Sequence, residues 1–186
     1  MLGRLIKLGV VAGAGYAAWK ALSKQPLKQS FFQQALQAGV AEVAAARSAQ
    51  LRAASADVRA FAQQLEHDHG EHNRELAEAS GLALPDVNDR RVADLHAIDL
   101  LQGAAYDRAW LKHVATCHRE TIRLYEREVA RGGTGSPLAD DVLPRLRAHA
   151  DRIAQLQSAP PGAAAANADP GEAMDADVQG GTRAVM

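Results

Sequence analysis

Three histidines in the middle of long helix-patterned segments are the residues of this 186-residue chain best suited to chemistry. Each interrupts an apolar stripe that a helical protein normally fills with Leu or Val, and each belongs to a different predicted helix. They are His69, His118 and His149. A fourth predicted helix carries a lone carboxylate, Glu42. Because imidazole nitrogen and carboxylate oxygen suit zinc, iron, manganese or copper, these four residues form the hypothesis of an internal metal site.

The depth of these residues along their helices supports that hypothesis. Each lies about 12 to 15 residues after its predicted helix start, which is roughly 20 Å at the α-helical rise. Antiparallel neighbours of similar length bring such residues to one level. Three histidines and one glutamate could fill a tetrahedral site or leave an open position in a larger coordination sphere.

Three further residues are secondary candidates near this level: Glu66, His72 and Tyr125. Glu66 precedes His69 by three residues, which is the Glu-x-x-His spacing of di-iron carboxylate bundles. Leu146 occupies the corresponding position before His149, so a symmetric di-iron site is not expected. His72 lies one helical turn after His69, and that pair alone would bind an ion weakly.

The alternative hypothesis is a buried polar layer that fixes helix register. A histidine on an apolar stripe is most often a packed side chain with one hydrogen-bonded nitrogen. The partners would be supplied by Asp68, Asn73, Tyr106 and Tyr125. In this case the protein is a non-enzymatic structural or interaction module, and a pH-sensing variant follows from histidine titration near neutrality.

Composition and motifs exclude several other classes. The net charge of -1, without a basic stripe, argues against nucleic-acid binding. Cys117 is the single cysteine, so no intrachain disulfide forms. The chain lacks a Ser-His-Asp order, a glycine-rich phosphate loop, a Walker lysine and a CxxC pair, which argues against nucleotide binding and nucleophilic catalysis. The sequence favours a binding protein over an enzyme and names neither a substrate nor a protein partner.

The elements that must position the candidate residues are helices. The chain is alanine-rich, and aromatic residues make up only 4% of it. Apolar periodicity and capping residues predict long helices over 30–52, 55–81, 104–131 and from 136 onward, with a short one after Asn88. Pro144 suggests that the last helix begins near Leu143 instead. We therefore predict an all-α, up-and-down four-helix bundle over residues 30–157.

The two ends of the chain differ from this domain. Residues 1–25 combine Arg4 and Lys7 with an apolar stretch, which predicts an N-terminal apolar helix acting as a signal peptide or membrane anchor. The expected partner of this segment is a membrane. Residues 158–186 are rich in Ala, Gly, Pro and acidic residues, so we predict a disordered tail.

Short motifs in a fixed order resemble those of the bacterial domain-of-unknown-function family 4142. They are Gly39-x-x-Glu42, Asp68-His69-x-x-x-Asn73-x-x-Leu76, Gly103-x-x-Tyr106-Asp107-x-x-Trp110 followed by His118, and Leu143-Pro144-x-Leu146-x-x-His149. The resemblance covers residues 32–156. It implies a ferritin-like helical bundle in the periplasm or cell envelope, anchored to the inner membrane if the leader is not cleaved. It implies no settled activity.

Overall fold

The computed structural model describes residues 30–159, and all regular secondary structure in that range is helical. The helices are α1 (Phe31–Arg52), α2 (Ala56–Ser80), α3 (Asp89–Asp99), α4 (Gly103–Arg131) and α5 (Ser136–Ser158). The all-α prediction is therefore confirmed. The predicted leader of residues 1–25 and residues 160–186 of the predicted tail lie outside the described residues. Between residues 30 and 159, no helix is both long and apolar enough to cross a membrane.

Local sequence signals set the helix ends. The Ser55 side chain accepts a hydrogen bond from the Val58 N–H and caps the start of α2. Gly81 ends α2 with φ of 68°, and Gly132 ends α4 with φ of 61°. Both glycines adopt the left-handed conformation that closes a helix without a Cβ clash. The predicted stop and start signals at these positions are confirmed.

The observed start of the last helix corrects one predicted boundary. α5 begins at Ser136 with Pro137 in its first turn and continues through Pro144, so the alternative start near Leu143 is wrong. A proline inside a helix leaves the carbonyl four residues earlier without its amide partner. That carbonyl belongs to Asp140, which is exposed, so water can satisfy it and the helix continues.

The four long helices pack as two antiparallel pairs. α1 packs along α2 and α4, while α5 packs along α4 and, over a shorter stretch, α2. Near the start of α4, Asp107 accepts hydrogen bonds from the backbone N–H groups of Ala54 and Ser55, each at 2.9 Å. At the other end, the rings of Phe31 and Tyr125 lie 5.0 Å apart. α4 therefore begins where α1 ends and runs antiparallel to it.

This arrangement corrects the predicted up-and-down order. The ring pairs Phe61–Trp110 and His69–His118 advance together along α2 and α4, at 6.4 and 5.2 Å between centroids. The two helices therefore run in the same direction, and the connection over residues 81–102 returns along the molecule. α3 lies in this connection and has no buried residue. The apolar pattern could not reveal the return, because it predicts which residues are helical but not which way a helix runs.

Two apolar clusters flank a polar level in the middle of the long helices. Burial of each large apolar side chain contributes about 1.5–3 kcal/mol, so the clusters hold the helices in place on both sides of that level. The largest members of one cluster are Phe61, Leu65, Tyr106, Trp110, Leu111 and Ile153. Those of the other are Phe31, Leu36, Leu76, Tyr125, Leu143 and Leu146.

Candidate metal centre

The polar level between the two apolar clusters holds most of the predicted site residues. The buried polar side chains at this level are Glu42 on α1, His69, His72 and Asn73 on α2, His118 on α4 and His149 on α5. Each sits where α1, α2, α4 or α5 passes from one apolar cluster to the other. The helices thus carry these groups to a common depth, as their spacing along the sequence predicted.

Three of these histidines converge on one point. Ligand-type atoms of His69, His118 and His149 all lie within 4.8 Å of one another, and all three residues are buried. Their ring centroids are 5.2, 5.5 and 5.6 Å apart. The Nε2 atoms of His69 and His118 are 3.3 Å apart, close to the roughly 3.3 Å that separates two nitrogens bound to a tetrahedral zinc ion. The three imidazoles could therefore hold one ion.

His118 is oriented by its other ring nitrogen. Its Nδ1 lies 3.0 Å from the backbone oxygen of Val114, and an N–H donated there leaves the lone pair on Nε2, which faces His69. Glu42 Oε1 lies 3.4 Å from the same Nδ1. The structure therefore places Glu42 behind His118 and does not bring it into the group of three as a fourth ligand. The Val114 oxygen, which accepts the Nδ1–H, is therefore the outer partner that orients His118.

His149 is held from α2. Its Nε2 lies 2.9 Å from Asp68 Oδ2, so the ring N–H donates to the carboxylate. Its Nδ1 is buried and has no hydrogen-bond partner among residues 30–159. Asp68 was predicted as a hydrogen-bond partner of the histidines in a polar layer, but the sequence did not say which histidine it contacts. Its one signal was its position directly before His69 in the sequence.

The secondary candidates do not join the group of three. His72 Nε2 lies 2.6 Å from the Tyr125 hydroxyl, and its Nδ1 lies 3.2 Å from Glu75. Both nitrogens of His72 therefore have partners. Glu66 accepts hydrogen bonds from Arg47 and Gln50 at the surface, and the bond from Arg47 is the main reason that the pKa of Glu66 is lowered. The Glu-x-x-His spacing thus does not direct Glu66 to the histidines.

Cys117 precedes His118 in the sequence but faces a different neighbour. Its sulfur accepts a hydrogen bond from Arg91 at 2.8 Å. Burial raises the pKa of the thiol to about 12. A protonated thiol is a poor ligand, so this cysteine adds no thiolate to the candidate centre.

Burial controls the charge of the cluster. It lowers the pKa of His69 well below 6.5, and the neighbouring imidazoles of His118 and His149 lower it further. Burial also lowers the pKa of His149, against the opposing effect of its hydrogen bond to Asp68. His69 and His149 are consequently neutral at pH 7, which is the form that binds metals.

The fold and the cluster define an all-helical protein with a buried three-histidine candidate metal centre. A family model described as Domain of unknown function (DUF4142) matches residues 14–156, and the chain belongs to this family. The resemblance inferred from the motifs is thus confirmed, and the match extends upstream of the residues that suggested it. Comparison with curated proteins and with solved structures found no significant match.

Proposed function

We propose that this protein binds one transition-metal ion through His69, His118 and His149. The observation that carries the proposal is that three helices bring one ring nitrogen from each of three buried histidines within 4.8 Å of one another. Three nitrogen donors without a thiolate suit zinc or copper better than manganese. Glu42, the fourth predicted ligand, lies behind His118 in this proposal and does not bind the ion.

The architecture that we propose for this site is a ferritin-like four-helix bundle. The support is the long connection over residues 81–102, because ferritin-like bundles have one such crossover.

We further propose that the protein works in the cell envelope, with residues 1–25 as its signal peptide or membrane anchor. The basic and apolar pattern of the leader supports that location, and fractionation of cells into periplasm, membrane and cytoplasm tests it.

Metal analysis and titration calorimetry of protein purified without a histidine tag test the metal proposal. Zinc should bind with a stoichiometry of one. The variant His118→Ala removes a ligand, so zinc affinity should fall by at least about 100-fold, beyond the loss expected from an outer partner. His113→Ala is the matched control, because His113 is half-buried on the same helix and approaches Cys117 instead. Sub-stoichiometric zinc in all three proteins would exclude the proposal.

A hydrogen-bonded core layer is the second candidate function, that of a structural or interaction module. The direct contacts of His149 with Asp68 and of His72 with Tyr125 favour it. In that case His118→Ala changes stability, and zinc binds neither wild type nor variant. The same calorimetric experiment therefore separates the two candidates.

A further inference from the structure

Asp68 connects the polar layer to the surface. Its side chain is 17% exposed, and Oδ2 lies 2.9 Å from Nε2 of the buried His149. Its other described contact is with Gln64, at 3.5 Å from the amide nitrogen. Asp68 lies on α2 and His149 on α5, so this contact bridges two helices that otherwise touch over a short stretch.

The contact decides which nitrogen of His149 carries the proton. A neutral imidazole has one N–H and one lone pair. A carboxylate accepts but does not donate, so Asp68 requires the N–H on Nε2. The lone pair is then on Nδ1, which is buried and without a partner inside residues 30–159. Leaving a buried acceptor without a partner is unfavourable, and a metal ion bound at Nδ1 would satisfy it.

We propose that Asp68 is the positioning residue that makes Nδ1 of His149 the third ligand atom. This inference rests on the proposed metal-binding function and extends it to a residue outside the group of three. His69 and His118 then bind through the Nε2 atoms that face each other, and His149 binds through its other ring nitrogen. Asp68 holds the His149 ring so that the Nδ1 lone pair can bind the same ion as the Nε2 lone pairs of His69 and His118.

Zinc titration of Asp68→Ala tests the role of the carboxylate. Zinc affinity should fall by about 10- to 100-fold, as for other outer partners of ligand histidines. Glu71→Ala is the matched control, since it removes one negative charge from the same helix and the described contact of Glu71 is with the exposed His67. Its affinity should equal that of wild type. Asp68→Asn keeps the side-chain volume and should also lose zinc affinity. This variant keeps the test valid if Asp68→Ala fails to fold.

Nitrogen-15 NMR of the histidine rings tests the tautomer independently of affinity. In metal-free wild type, the His149 proton should reside on Nε2. Zinc should shift the Nδ1 resonance while Nε2 keeps its proton. A proton on Nδ1, or zinc on Nε2, would overturn the inference.

The outcomes also separate this inference from the proposed function. If wild type binds zinc and Asp68→Ala binds it equally well, Asp68 has no positioning role and the metal site stands. If wild type binds no zinc, the proposed function is wrong and the inferred ligand role of His149 is wrong with it.

Discussion

Both carboxylate oxygens of Glu42 are buried, and neither has a hydrogen-bond partner within residues 30–159. Its contact with His118 at 3.4 Å falls short of a directed bond, because the ring N–H points at the Val114 oxygen. Burial raises the pKa of Glu42 above 4.5. The folded protein therefore binds the Glu42 proton more tightly than the unfolded chain does. The stability that this difference contributes is fully present below pH 4.5, and it is lost as the pH rises through the folded pKa.

Replacement of this acid by an apolar side chain of similar length should stabilise the protein. We expect Glu42→Met to raise the free energy of unfolding by about 1–3 kcal/mol at pH 7, because it removes an unsatisfied buried group. The gain should be smaller at pH 4, where the acid is already protonated. Urea unfolding at both pH values measures it.

A second measurement tests whether this residue acts on the metal site. Zinc affinity of Glu42→Met should fall by less than about 10-fold, since His118 keeps the Val114 oxygen that accepts its Nδ1–H. Leu36→Met, another buried substitution on α1, is the control. It should lower the free energy of unfolding by less than about 1.5 kcal/mol. A loss of stability in Glu42→Met would show that the carboxyl has a favourable partner.

The residue types of the candidate centre were predictable, but their orientations were not. His69, His118 and His149 stood out because each interrupts an apolar stripe, and the depth of Glu42 followed from its helix start. Apolar spacing predicts burial, yet it does not say which ring nitrogen faces a neighbour. That is why Glu42 was expected as a fourth ligand and why Asp68 was expected as a partner of the histidine layer without His149 being named.

The close approach of α1 and α2 at the polar level depends on Gly39. A Cβ at this position would lie 1.8 Å from Oδ1 of Asn73, a buried side chain. Alanine is favoured over glycine by about 1 kcal/mol in a helix interior, but overpacking costs typically about 1–3 kcal/mol. We expect Gly39→Ala to lower the free energy of unfolding by about 1 kcal/mol or more, measured by urea unfolding.

Gly70 on α2 provides the matched control. A Cβ there would meet no described atom within 4 Å, so Gly70→Ala should stabilise the protein by about 0.5–1 kcal/mol. In an Asn73→Ala background the obstacle is gone, and Gly39→Ala should then become stabilising too. Equal effects of the two alanine substitutions in the wild-type background would contradict this account of the helix contact.

The individual helices were largely predictable, while their directions were not. Ser55, Gly81 and Gly132 are local signals, and each acts as sequence rules predict. The direction of α4 depends on Asp107, which accepts hydrogen bonds from the α1–α2 turn more than fifty residues away. No periodicity encodes such a contact, so the return of the chain over residues 81–102 was missed.

For the whole molecule, the candidate centre joins two helix pairs. His69 belongs to the α1–α2 pair, whereas His118 and His149 belong to the α4–α5 pair. An ion bound by all three would exist only in the folded state. Zinc at about 100 times its dissociation constant should therefore add about 2.7 kcal/mol to the free energy of unfolding. Thermal unfolding with and without zinc measures this, and a melting temperature that rises equally in His118→Ala would contradict it.

Acidification should destabilise the metal-free protein through the same histidines. The pKa values of His69, His72 and His149 are lowered in the folded state, with burial as the main cause. Below pH 6.5, their ordinary pKa, these histidines bind protons in the unfolded chain but stay neutral in the folded protein. The stability that these residues contribute is complete above that pH and is lost as the pH falls toward their folded pKa values.

His69→Gln isolates one of these contributions, because glutamine does not titrate. Between pH 7 and pH 5.5 wild type should lose about 1 kcal/mol more stability than this variant, the linkage expected for one buried histidine that stays neutral. His67→Gln is the control on the same helix, since His67 is exposed. Between these pH values it should lose as much stability as wild type. With saturating zinc the wild-type loss should be steeper, because protons compete with the ion for the same nitrogens. If His69→Gln and wild type lose stability equally in urea unfolding, His69 takes up its proton as readily in the folded protein as in the unfolded chain, and the neutral, metal-ready imidazole layer is absent.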